Sequence, residues 1–366
     1  MSSRGDGGYA FALCLTHDID RVYKTPQNYL FDSLEQRDPR HLAGLVSAKN
    51  PYWQFERIMA LESMLGVRSA FYVLDERRLV ERPKREWATL SGWSRYSGRY
   101  DVTDPQLAAT LESLENGGWE VGLQGSFTSP RDLARLRYEK DRIEDATGRP
   151  VRGNRQHYLN LARPETWDHH REIGLDYDAS LADPHSLEFQ YGHELRRPFD
   201  DEFVVFPWTI MDQTTMESAR TMSGIRDNCE RILEEVRDET GVLVLDWHQR
   251  TFYDADFPGW GGTYRWLIER ALEMGAWVGP PRTFYDATSH PDGTVAETLE
   301  TLATRERAES DAHVDSTGYP ARAADSNGVR DRTGDPTGPR GRTASETPIQ
   351  TRSSESATNA GDSPDR

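Results

Sequence analysis

The sequence predicts an α/β protein built on one parallel (β/α) barrel of seven or eight strands, regular or distorted, followed by a disordered tail. Three observations lead to this prediction. Short apolar runs alternate with helical patterns from Tyr9 to about Ser289, as in parallel strands joined by crossover helices. Ionisable residues follow several of these runs directly. Large apolar residues become rare after about His290, so we expect a barrel over residues 9–289 and a disordered tail over residues 290–366.

The first predicted strand carries the most distinctive polar residues. Its apolar run ends in Thr16, His17, Asp18, Ile19 and Asp20. Side chains alternate along a strand, so Asp18 shares a face with small residues, and with Asp20 if the chain stays extended, whereas His17 shares the other face with bulky residues. In a parallel barrel the inward face at a strand's carboxyl end is where catalytic residues lie. An acidic N-cap for the next helix is the alternative interpretation.

The other elements follow in alternation. A long loop over residues 21–50 and a second one over residues 77–99 are predicted to lie at the same rim. Strands are predicted to begin near residues 9, 67, 119, 151, 175, 203, 242 and 276, with residues 283–285 completing the last strand. Helices are predicted at about residues 53–65, 105–116, 129–148, 164–173, 217–240 and 262–274.

Two later strands also end in ionisable residues. Alternation places Arg155 and His157 on one face of the strand that starts near residue 151, and Asp246 and His248 on one face of the strand that starts near residue 242. Because the carboxyl ends of barrel strands meet at one rim, we expect these side chains to converge with Asp18. A core histidine bonded to a backbone carbonyl is the alternative for His248.

Composition narrows the function classes. The net charge is −17, the sequence pI is about 5.1, and four lysines stand against 40 arginines, which argues against nucleic acid as a partner. Such an acidic surface favours a halophilic cytoplasm, where counterions screen self-repulsion. The two cysteines, Cys14 and Cys229, are too few for a disulfide framework. With neither a secretion-signal pattern nor ~18 consecutive apolar residues, we expect a soluble cytoplasmic protein without a membrane span.

Three strand ends together resemble the polysaccharide deacetylase family, carbohydrate esterases that share a homology domain with the nodulation-type chitooligosaccharide deacetylase. The segment Thr16–Asp20 resembles the family's Thr-Phe-Asp-Asp-Gly motif, Arg155–Tyr158 resembles its Arg-x-Pro-Tyr motif, and Leu245–His248 resembles its Leu-x-x-His motif. The resemblance spans roughly Phe11 to Phe284. Two departures concern the metal: Ile19 stands where the family has a metal-binding Asp, and Gln124 to Thr128 contains neither histidine of the His-x-x-x-His motif.

The resemblance implies a role for each matched residue. Asp18 would be the catalytic base, Arg155 would orient it and depress its pKa, and His248 would protonate the leaving amine. The backbone N–H of Tyr158 would face the developing oxyanion. A divalent metal site, with zinc as the expected ion, would be rebuilt from His17, Asp18, Asp20 and His157, or it is missing.

The leading hypothesis is therefore a divergent deacetylase that removes an N-acetyl group from a sugar or glycan with the help of a metal ion. A glycosidase, with Asp18 or Asp20 as nucleophile and Asp246 as acid, is one alternative. A non-catalytic sugar-binding protein that has lost the metal site is the other. All three hypotheses imply a carbohydrate partner, and the oligomeric state stays open.

Overall fold

The computed structural model describes residues 8–25, 29, 50–96, 98–207, 210–290 and 292–317. Most of the predicted loop over residues 21–50, and the predicted tail beyond residue 317, lie outside the described residues. Each predicted strand start lies within three residues of an observed one. The strands of the described chain are β1 (Ala12–Ile19), β2 (Ala70–Leu74), β3 (Glu120–Gly125), β4 (Gly153–Gln156), β5 (Tyr177–Leu181), β6 (Val204–Pro207), β7 (Ile210–Met211), β8 (Val242–Asp246) and β9 (Trp277–Gly279).

The strands form one parallel sheet that curls into a half-barrel surrounded by helices. Their order is β6-β5-β4-β3-β2-β1-β8-β7, and β9 also pairs with β1. Every pairing between these strands is parallel, which confirms the predicted α/β class. Strands β6 and β7 end the order and do not pair with each other in the described residues, so the sheet is open there. The carboxyl ends of the parallel strands share one rim.

Helices cover the sheet largely where helical spacing predicted them. The six predicted helices correspond to Phe55–Leu65, Pro105–Asn116, Leu133–Thr147, Glu165–Glu172, Met222–Asp238 and Trp260–Glu273. Four shorter helices, which the sequence analysis did not predict, span Lys84–Trp87, Leu90–Tyr96, Asp212–Glu217 and Pro281–Ala287. The prediction of a strand over residues 283–285 is therefore wrong. Pro281 occupies the first turn of that helix, where a missing N–H costs nothing.

Side chains of β1 divide between two apolar layers, as alternation predicts. Phe11, Leu13 and Leu15 pack in the larger cluster, which lies between the sheet and helices such as Phe55–Leu65. Ala12 and Cys14 pack in a second cluster on the opposite face of the sheet. The small residues of this face leave room for polar side chains at its carboxyl end.

The fold continues past the predicted boundary at residue 289. A helix spans Val295–Thr317, and three of its apolar residues, Val295, Leu299 and Leu302, are buried in the same cluster as Ala12. The prediction of disorder from residue 290 is wrong for this helix. Three apolar side chains at helical spacing are enough to dock a helix against a formed core. The composition averaged over residues 290–366 is mostly polar, so it did not indicate these three residues. Within the described residues, no helix combines the length and the apolarity that crossing a bilayer requires.

Candidate functional site

The side chain of Arg155 contacts residues of several strands in the buried part of the candidate site. Its guanidinium is fully buried, and its Nη1 lies 2.8 Å from the Thr16 hydroxyl, 3.0 Å from Asp18 Oδ1 and 3.1 Å from Asp246 Oδ1. Its Nε donates to the Ala179 carbonyl at 2.9 Å. The residues come from the carboxyl ends of β1, β4, β5 and β8, so the topology brings together side chains that are far apart in sequence. Arg155 therefore contacts Asp18 directly.

Asp20 lies just beyond the end of β1 and accepts bonds from several elements. Its Oδ1 accepts from Gln124 Nε2 at 2.9 Å and lies 3.5 Å from His157 Nε2. Its Oδ2 accepts from Arg250 Nη1 at 2.9 Å and lies 3.4 Å from His248 Nε2. Gln124 Nε2 also lies 3.1 Å from Asp18 Oδ2, so this amide links the two aspartates.

His248 is oriented by a carboxylate that the sequence analysis did not assign to the site. Both carboxylate oxygens of Asp212 lie 3.1 Å from His248 Nδ1, and Asp212 Oδ2 also accepts from the backbone N–H of His248 at 2.9 Å. This pairing directs His248 Nε2 towards Asp20. A carboxylate behind one ring nitrogen is the usual arrangement for a histidine whose other nitrogen binds a metal.

Asp18, Asp20 and His248 form the metal-ligand group that the described residues contain. One potential ligand atom from each lies within 4.8 Å of the others. His157 approaches Asp20 but is not part of this group. Its Nδ1 faces Glu76 Oε2 at 3.8 Å, and burial lowers the pKa of His157 despite the nearby Glu76 carboxylate.

His17 lies outside the site, contrary to the predicted rebuilt metal site. It occupies the outward face of β1, where its Nε2 lies 3.0 Å from Glu62 Oε1 and its Nδ1 contacts the Trp247 carbonyl. Tyr264 also lies 3.2 Å from His17 Nε2. The physical reason is the alternation of side chains along an extended strand, since neighbours of an inward Asp18 must point outward.

Tyr158, which directly follows His157 in sequence, has an unusual backbone conformation. Its φ of 58° lies in the left-handed region, its side chain is 58% exposed, and its ring centroid lies 4.5 Å from that of His157. Few residues other than glycine adopt this conformation without a structural reason. The backbone therefore presents the Tyr158 ring at the mouth of the site.

Burial and neighbouring charges separate the two aspartates. Burial and the charge of Asp246 raise the pKa of Asp18 to about 7, and Arg155 only partly opposes this shift. Arg155 does lower the pKa of Asp18, as the resemblance implied, but burial and Asp246 outweigh its charge, so the net shift is upward. Burial alone would raise the pKa of Asp20 as well, but His248 and Arg250 hold it well below its usual range. One carboxyl group is thus poised to exchange a proton near neutral pH, and the other stays ionised.

Burial and charge also act on the remaining two ionisable groups. Burial would lower the pKa of His248, yet Asp212 and the other nearby carboxylates hold it well above its usual range. Burial raises the pKa of Asp246. Asp246 is only 2% exposed and forms an ion pair with Arg155, so it helps to hold the Arg155 guanidinium in place.

Sequence reasoning missed three partners of these residues: Gln124, Asp212 and Arg250. Gln124 and Asp212 each directly follow a predicted strand, so the rule that placed Asp18 could have identified them. Arg250 lies in a short 3₁₀ turn over Gln249–Phe252, and no pattern in the sequence indicates that it reaches Asp20.

Comparisons with known proteins support the fold. No protein-family model and no curated protein matches the sequence. Among solved structures, the allantoinase Puue has a TM-score of 0.50 at 12% identity, over 77% of this chain and 91% of that one. A protein assigned as a polysaccharide deacetylase from Mycobacterium smegmatis has a TM-score of 0.49 at 16% identity, over 89% and 98% of the two chains.

A third similar structure is a pseudoenzyme of the CE4 family from Bacillus anthracis, with a TM-score of 0.37 at 13% identity over 75% of this chain and 65% of that one. At such identities the likeness extends to the fold and does not transfer an activity. What this chain does must therefore be argued from its own site. The likeness to the Puue allantoinase is therefore one of fold: this chain is a curled parallel half-barrel with polar residues at the carboxyl rim.

Proposed function

We propose that this protein is a hydrolase that removes an N-acetyl group from a sugar or glycan with the help of a divalent metal ion. The observation that carries the proposal is the meeting of Asp18, Asp20 and His248 within 4.8 Å at the carboxyl rim. Arg155 forms an ion pair with Asp18, and the Asp212 carboxylate contacts Nδ1 of His248. Such preorganised groups are what hydrolysis of an unreactive amide requires.

The donor set fits a divalent ion. Two carboxylates and one imidazole are ligands that zinc accepts, and the Asp212–His248 pair supplies the carboxylate support that metal-bound histidines usually have. Asp18, Asp20 and His248 would therefore hold the ion. When bound, the ion supplies Lewis acidity to the reaction. Because His248 Nε2 cannot hold a metal and a proton together, we propose His248 as a ligand in place of its expected role as general acid.

Asp18 carries the proton transfer in this proposal. Its carboxylate takes a proton from the attacking water and returns it to the departing nitrogen, so that water and the acetamide yield acetate and an amine. Arg155, bonded to Asp18 Oδ1 at 3.0 Å, fixes the orientation of the carboxyl group through both transfers. The backbone N–H of Tyr158, at the same mouth, is the proposed donor to the oxyanion.

The geometry does not favour the glycosidase hypothesis. Asp18 and Asp246 are 5% and 2% exposed and bind the same Arg155 nitrogen. A glycosidase needs two carboxyl groups that flank a sugar-sized cleft, and these two are joined by a buried cation instead.

A second candidate, a sugar-binding protein without catalysis, is favoured by one observation. Gln124 donates to both Asp18 and Asp20, and Arg250 donates to Asp20. Together they satisfy the carboxylates with the chain's own donors, which is an alternative to a metal ion. The two candidates differ in whether zinc binds.

Acetate release from N-acetylated glycan oligomers tests the proposed function. Chelator-treated protein should be inactive and should regain activity on addition of zinc, and His248→Ala should lose bound zinc as measured by equilibrium dialysis. Asp254→Ala, which removes an exposed carboxylate away from the site, is the matched control. Zinc retained by His248→Ala together with lost turnover would restore its role as the acid. Glycan binding without zinc uptake or acetate release would establish the non-catalytic candidate.

A further inference from the structure

Two arginines bind Asp20 at the rim of the candidate site, although the protein as a whole is strongly acidic. Arg250 Nη1 donates to the carboxylate of Asp20 at 2.9 Å, and Arg99 Nη1 donates to the backbone carbonyl of Asp20 at 2.7 Å.

Two backbone carbonyls hold the guanidinium of Arg99. Its Nε donates to the Arg95 carbonyl at 2.6 Å and its Nη1 to the Asp20 carbonyl. No carboxylate of the described residues lies within ion-pair distance of it, although its charge contributes to lowering the pKa of Glu76. A guanidinium fixed in this way is suited to binding a carboxylate or another oxyanion.

An aromatic surface adjoins these arginines. The exposed ring of Tyr158 makes an edge contact with Phe127, with ring centroids 5.7 Å apart. Arg95 covers Phe127, with 4.0 Å between its guanidinium carbon and the ring centroid. An exposed ring beside polar groups is a surface on which the apolar face of a sugar can stack. The mouth therefore offers a stacking surface and a cationic group side by side.

Resting on the proposed function, we propose that the natural ligand is an acidic glycan, in which a carboxylate-bearing sugar next to the N-acetylated one is bound by Arg99 while Tyr158 stacks on a sugar ring. The carboxylate replaces solvent at the free side of the Arg99 guanidinium. Recognition of this kind depends on charge, so it weakens as salt screens the interaction.

Binding of defined tetrasaccharides tests the proposal, measured by calorimetry on full-length protein carrying Asp18→Asn to prevent turnover. The probes are a tetramer alternating N-acetylglucosamine with glucuronate, a neutral N-acetylglucosamine tetramer, and the neutral tetramer carrying sulfate groups. The acidic tetramer should bind at least about tenfold more tightly than the neutral one, which corresponds to one strong charge-assisted contact. Tighter binding of the sulfated tetramer than of the glucuronate tetramer would overturn the choice of a carboxylate.

Variants assign the preference to its residues. Arg99→Gln should reduce the tenfold preference to less than about threefold, and Arg99→Lys should restore part of it. Arg265→Gln, which removes an equal charge from an exposed helix where Arg265 pairs with Glu269, should leave the preference unchanged. If Arg99→Gln does not fold, the salt dependence of the unchanged Arg99 protein decides: raising KCl from about 0.1 M to about 1 M should remove most of the preference.

Equal affinity for the acidic and neutral tetramers would overturn this inference, and the arginines would then serve only to balance the buried carboxylates. That result leaves the proposed function standing if wild-type protein still releases acetate. Binding of the acidic tetramer, with no acetate released by wild-type protein, would support this inference and overturn the proposed function. Failure to bind any of the tetramers would overturn both.

Discussion

Asp18 and Asp20 are two positions apart in sequence, and the structure gives them different surroundings. Asp18 is buried beside Asp246 and has a pKa of about 7, whereas Asp20 is surrounded by donors that keep it ionised. We therefore expect the two residues to fail in different ways. A lost ligand is a mass-action deficit that concentration offsets, but a lost proton acceptor is not.

The first prediction follows from this difference. Asp20→Ala should lower the affinity for zinc and recover part of its acetate release in excess zinc, whereas Asp18→Asn should stay inactive at every zinc concentration. Zinc titrations of acetate release measure both effects, with Asp254→Asn as an exposed control. Recovery of Asp18→Asn by zinc would assign Asp18 to metal binding alone.

At the scale of elements, the helix Val295–Thr317 shows how little apolar surface is needed to extend a domain. Leu299 is 2% exposed and packs in the cluster that also contains Ala12 and Cys14 of β1. The helix therefore covers the face of the sheet opposite the larger helical layer. Its neighbour Glu300 is exposed on the other side of the helix.

The second prediction concerns this contact. Leu299→Ala should lower the free energy of unfolding by about 3 kcal/mol, because it removes buried methyl groups and leaves a cavity. Glu300→Ala, on the exposed face, should change it by less than about 0.5 kcal/mol. Urea unfolding measures both. Equal effects of the two substitutions would show that the helix does not dock.

At the scale of the whole molecule, the net charge of −17 with only four lysines predicts a dependence on salt. We propose that salt stabilises this protein, since self-repulsion of a strongly charged surface opposes the folded state unless counterions screen it.

The third prediction is that the melting temperature of chelator-treated protein rises by several degrees between about 0.1 M and about 1 M KCl, where the Debye length falls to ~3 Å. Screening is then nearly complete, so the rise should level off above this range. Calorimetry at increasing KCl measures the curve. A melting temperature that stays level or falls over the first molar of salt would contradict the proposal, and a rise that continues linearly would indicate solvent exclusion instead.

The sequence by itself indicated where eight of the nine described strands begin and at which end of the sheet the ionisable residues meet. The periodicity of apolar residues depends only on residues close in sequence, and parallel strands bring their carboxyl ends to one rim. Asp18, Arg155, Asp246 and His248 could be placed together for this reason alone. Alternation also implied that His17 points away from Asp18, although the sequence analysis included His17 in the rebuilt metal site as a nitrogen ligand for zinc.

Only the tertiary structure decided which groups surround those residues. Gln124, Asp212 and Arg250 reach Asp18, Asp20 and His248 across more than 30 positions of sequence, and no local pattern encodes such distant contacts. The pKa of Asp18 depends on its distance from Asp246 and on burial, which are both products of packing. The helix Val295–Thr317 is stabilised by a core that other segments build, so its own composition could not reveal it.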